Sequence, residues 1–100
     1  MSNLTIQVPR LPVDSLGYDQ GQVPGVAFDW PCNALFGINA QTGLKTQLGY
    51  IAHTRLGVAW VLHLDLGEIT IERKGNCATH EQAQDALVQA ATPFLEQRLH

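Results

Sequence analysis

Apolar and polar residues alternate with a period of two through much of the second half of the chain. Val58-Ala-Trp-Val-Leu-His-Leu-Asp65, then Leu66-Gly67, then Glu68-Ile-Thr-Ile-Glu72 predicts a β-hairpin. Four strands are expected, near 34–41, 44–55, 58–65 and 68–74, separated by Thr42-Gly43, Leu56-Gly57 and Leu66-Gly67. Glycine in each of these pairs supplies the positive φ that tight connections require. From Thr79 the period changes to that of a helix, and a helix is expected over 79–99. Thr79 as N-cap with Gln82 three residues on makes a capping box. Ala83, Leu87, Ala90, Ala91 and Phe94 form the stripe that should cover the sheet. Pro93 falls on the opposite side, where it bends the helix or restarts it with Thr92 as a new cap. The fold class is therefore α+β, a four-stranded antiparallel meander (34–75) with one C-terminal helix packed on one face.

The first third is less regular. Asn3–Val8 alternates like a strand, and Val26–Trp30 reads as another short strand. Between them, Pro9–Gly25 carries three prolines and three glycines and reads as a long loop. Residues 1–33 are thus expected to form an N-terminal arm on one 100-residue domain.

Register follows from keeping the apolar residues on one face, since a one-residue slip would split the core. Loops of even length put Ile51, Leu62 and Ile71 in one row and Gly49, Leu64 and Ile69 in the next, with Phe36 opposite Gly49. The same register sets Cys32 opposite His53 and places His53, Trp60 and Arg73 in one helix-facing row. On the other face it groups Leu35, Tyr50, His63 and Thr70, with Ala52, Val61 and Glu72 beside them and Leu48 close by. That face is too apolar for a fully solvated one. Part of it is expected to lie under Leu4, Ile6, Val8, Val26, Phe28 and Trp30, and the remainder forms an interaction patch.

Charge narrows the partner. The formal net charge is -3, and Arg73-Lys74 is the one adjacent pair among six basic residues. This speaks against nucleic acid, which calls for a clustered basic footprint. No apolar run approaches the roughly 20 residues of a membrane span, so no membrane partner is expected. The N-terminus lacks the pattern of a signal peptide, which points to the cytoplasm and free thiols at Cys32 and Cys77.

Candidate chemistry is sparse. Cys32 with His53 is the one arrangement that suggests an activated thiol. Cys77-x-x-His80 could bring two Cys and two His to one end of the sheet, as in a zinc site. Against both readings, small buried cysteines are ordinary core residues. Catalytic residues, metal ligands and cofactors are therefore expected to be none. Gly75-x-x-x-Thr79 with Glu81-x-x-x-Asp85 and Ala83-x-x-Ala86-Leu87 resembles the strand-to-helix junction of HicB-like antitoxins. The resemblance spans under a quarter of the chain, and the Pro-Asp-rich strand pattern of that family is absent, so no function is carried over.

The sequence thus predicts a non-catalytic module that binds a protein partner, in the general manner of small inhibitor, immunity or anti-defence proteins of bacteria and phages. The alternative is a small thiol- or metal-dependent enzyme using Cys32 and His53. The expected partner surface comprises Tyr18, Leu48, Tyr50, Val61 and His63. A second apolar line, Val88, Leu95 and Leu99, is not reached by the sheet and predicts a homodimer.

Overall fold

A computed structural model describes residues 11–23, 32–67 and 69–97. The elements are β1 (Leu11–Val13), β2 (Ser15–Gly21), β3 (Cys32–Ile38), β4 (Lys45–Thr54), β5 (Gly57–Asp65), β6 (Thr70–Cys77) and α1 (His80–Ala91). A 3-10 turn (Thr92–Phe94) and β7 (Leu95–Gln97) follow. Strands β2 to β6 form one antiparallel sheet in chain order, and α1 lies across β4, β5 and β6 on one face. The α+β class, the antiparallel sheet and the C-terminal helix agree with the sequence. The sheet has five strands where four were expected. Ser15–Gly21, expected as loop, pairs with β3 from Ser15↔Ile38 to Gly21↔Cys32. Its two glycines and the nearby prolines hid a period-two segment whose alternate residues Leu16 and Tyr18 pack against the core. The expected strands at Asn3–Val8 and Val26–Trp30 lie outside the described residues.

The turns shift the register. Between β3 and β4 the chain takes six residues, not two: Asn39 N–H donates to Leu44 O (2.9 Å) and Gly43 N–H to Asn39 O (2.7 Å). The Asn39 side-chain oxygen accepts from Gln41 N and Thr42 N, an Asx arrangement, and Gly43 sits at φ 71. A β-bulge then interrupts the β3–β4 ladder: Phe36 pairs with Gln47, but Leu35 pairs with Gly49, leaving Leu48 as the extra residue. Two successive β4 residues, Leu48 and Gly49, therefore face the helix. The faces of β3 exchange as a result. Leu35 is core, and Phe36 lies on the outer face with Lys45 Nζ 4.3 Å from its ring centre.

The other two hairpins keep the expected faces but move by two residues. Thr54 pairs with Gly57, so Arg55-Leu56 is the turn and Leu56 is 93% exposed. Asp65 pairs with Thr70, Leu66 N–H donates to Ile69 O (2.9 Å), and Asp65 Oδ1 accepts from Gly67 N–H (3.0 Å). Ile69 is left in that turn instead of in the core. The rows become Gly49–Leu62–Arg73, Ile51–Trp60–Gly75 and His53–Val58–Cys77.

The capping box at Thr79 and Gln82 is present, and Ala83, Leu87 and Ala91 are buried against the sheet. Leu87 fills the hollow at Gly49, where a Cβ would meet its Cδ1 at 2.8 Å and clash with the Val61 carbonyl. Helix α1 ends at Ala91, well short of 99, because Pro93 cannot donate to it and opens the 3-10 turn instead. The chain then extends as β7 and pairs in parallel with β1, Leu11 opposite Leu95. This corrects the expected dimer stripe. Leu95 is 3% exposed in the intrachain core, and Val88 packs against that core. Leu99 lies outside the described residues. Val13 closes the same end of the sandwich, seated against Gly37 and Leu48. Among the described residues no helix is long and apolar enough to cross a membrane.

Candidate functional site

Two places carry polar groups beside apolar surface. The first is the sheet face opposite α1. Register places Ala34, Tyr50, Val61 and Lys74 in one row, with His63 and Glu72 paired in the next. Tyr50, Val61, His63, Glu72 and Lys74 line a shallow cavity of about 280 Å³. His63 Nδ1 stands 3.7 Å from Glu72 Oε2. Burial pushes the Tyr50 phenol above its ordinary value, with Glu72 adding to the shift. It therefore stays a neutral donor in this groove. At the β2 edge of this face, Lys45 bridges Asp19 at 2.8 Å.

Of the five residues expected on a partner surface, Tyr50, Val61 and His63 come together here. Leu48 does not. It is 0% exposed in the core because the bulge turns it inward. Tyr18 lies on the helix side of β2, where its hydroxyl donates to Gln84 O (2.7 Å). Burial, then the charge of Asp85, pushes its phenol well above the ordinary value. The neutral form thus stabilises the fold. That contribution is complete below about pH 10, where the unfolded phenol is also neutral, and is lost progressively as pH rises toward the folded value. Tyr18→Phe should cost about 0.5–1.5 kcal/mol at neutral pH. Urea midpoints at pH 7.5 and pH 11 should show a smaller alkaline loss in the variant than in the wild type.

The second place is the corner where β3 begins and α1 starts. Cys32, Asn33, Ile51, Ala52, His53 and His80 are among the residues lining a cavity of about 520 Å³ there. The His53 and His80 rings meet edge to edge and nearly coplanar, with centroids 5.1 Å apart, 14° between planes and His53 Nε2 2.9 Å from His80 Nδ1. His80 Nε2 lies 3.2 Å from Asn33 Oδ1, which also accepts from Gln84 Nε2 at 2.9 Å. The sequence singled out both histidines but missed their pairing and the Asn33–Gln84 support. His80 stands first in the helix, directly after the Thr79 cap, and that position was the available signal.

The register also bears on the expected pairing of Cys32 with His53. Asn33 opposes Ile51, so the register carries Cys32 to Ala52, on the other face from His53. Burial pushes the Cys32 thiol up, against a smaller opposing hydrogen bond from the Gly21 main chain. An activated cysteine needs the opposite shift. Cys77 packs against the core in the row of His53, two strand spacings or about 10 Å away. Among the described residues no group of three or more His, Cys, Asp or Glu is arranged to hold a metal ion. No protein-family model, curated protein or solved structure matches this chain.

Proposed function

We propose that this chain is a non-catalytic binding module that docks a protein partner on the sheet face opposite α1, around Tyr50, Val61 and His63. The observation that carries the reading is the groove those residues form with Glu72 and Lys74. Helix α1 serves the core side. Val13 of β1 and Leu95 of β7 pack on the core side as well. Tyr50 offers contact area and a hydroxyl at low entropic cost, as residues that dominate interfaces do. Glu72 and Lys74 set opposite charges at the rim, which favours a partner segment with an apolar side chain between charged neighbours. Occlusion of a partner surface, as by a small inhibitor, immunity or anti-defence protein in a cytoplasm, is the mode of action this suggests.

Capture from lysate of the native host tests it. The wild type and a helix-side control, Glu81→Ala, should retain the same partner, and Val61→Glu should lose it. Glu81 is exposed in the first turn of α1. Equal capture by Val61→Glu would contradict the assignment.

A further inference from the structure

We propose that His53 and His80 form a two-histidine clasp for an exchangeable late first-row divalent metal ion, of which Zn²⁺ is the test case. Their facing nitrogens lie 2.9 Å apart beside an open cavity. Two imidazoles on one tetrahedral zinc, with bonds of 2.0–2.1 Å, hold their nitrogens about 3.3 Å apart. The gap must widen by only about 0.4 Å on that geometry. Each lone pair must also turn about 35° off the line joining the nitrogens to aim at a shared tetrahedral ion. His53 is exposed and His80 half-buried, so the larger part of that motion falls to His53.

The tautomers favour this use. Asn33 Oδ1 can only accept, so His80 carries its hydrogen on Nε2 and turns the lone pair of Nδ1 toward His53. Without metal, His53 Nε2–H donates to that lone pair. With metal, His53 moves its hydrogen to Nδ1 and Nε2 becomes the second ligand, with no net proton released. The Asn33 carbonyl, itself fixed by Gln84, plays the part of the outer acceptor that orients a metal-bound imidazole.

Affinity is bounded by the site. Two protein nitrogens fall short of the three or four ligands of a resident zinc, so water completes the coordination. The positive end of α1 opposes a cation by a few-fold, which the first-turn Glu81 offsets in part. Imidazole nitrogen suits zinc and copper and not magnesium, a hard ion that prefers oxygen.

Calorimetric titration of untagged protein with Zn²⁺ at pH 7.5, with Mg²⁺ as control, tests the clasp. One Zn²⁺ per chain should bind with Kd on the order of 1–100 μM, as expected for a site with two protein ligands. His53→Gln and His80→Gln should each weaken binding at least tenfold, and Asn33→Ala by about tenfold, the usual effect of removing an outer acceptor. The His53 and His80 ring resonances should shift on saturation, a readout independent of heat. Absence of saturable binding to 1 mM, or full affinity in the His53→Gln/His80→Gln double variant, would overturn the proposal. Loss in His63→Ala with both clasp histidines intact would assign the ion to the outer face instead and overturn it equally.

Discussion

Leu87→Ala should lower the stability of the fold by about 2–5 kcal/mol, the range for emptying a fully packed leucine site. Leu87 is 0% exposed and reaches over Gly49 at the centre of the helix–sheet interface. The hollow it leaves cannot close easily. The Val61 carbonyl and the Leu62 main chain form its floor, and both are fixed in sheet pairing. Urea unfolding should show a reduced midpoint with an unchanged slope, the sign of lost stability without a change in the surface exposed. A drop below about 1 kcal/mol would mean that α1 is not seated on Gly49.

Leu95→Glu should be the more damaging substitution, at about 3–5 kcal/mol or beyond. It removes a buried leucine and leaves an unpaired carboxylate where β7 meets β1 and the end of α1. The effect is intrachain, so the urea midpoint should fall equally at low and high protein concentration. A solution mass that halves with stability intact would instead make Leu95 a subunit contact.

Legibility depended on whether a signal was local. The Thr79–Gln82 box and the Ala83, Leu87, Ala91 stripe are local, and both appear where periodicity set them. The antiparallel order of β3 to β6 likewise followed from short connections between alternating segments. Face assignment failed at β3 and at Leu48, because alternation carries no mark of where a ladder gains a residue. Reading back from Ile51 and Tyr50 puts Leu48 outside, and the bulge puts it in the core. The Asn39 turn was equally hidden, since its six residues look no different in pattern from a two-residue turn at Thr42-Gly43. Strand β2 was obscured by glycines that its pairing tolerates. At Gly21 the pairing requires one, since a Cβ would collide with Ala34 and with the Gln47 side chain. Leu95 illustrates a different limit. Helical extrapolation past Pro93 kept it on an outer stripe, whereas the partner that buries it, β1, is more than 80 residues away in the chain.

The outer face was half legible. Tyr50, Val61 and His63 share it because even shifts in register preserve faces. Tyr18 joins them only if Ser15–Gly21 is a loop. As part of a strand, its side is fixed by Leu35 opposite it.

The affinity of Tyr50→Ala for the captured partner, measured alongside its thermal midpoint, tests the central claim most directly. Truncating an aromatic anchor at the middle of an interface costs about 1–2 kcal/mol or more, so Kd should rise at least five- to tenfold. Tyr50 is half-buried on the outer face, so the thermal midpoint should move far less than it does in Leu87→Ala. Unchanged affinity in both Tyr50→Ala and Val61→Glu, with the fold intact, would contradict the account and move the partner to another surface.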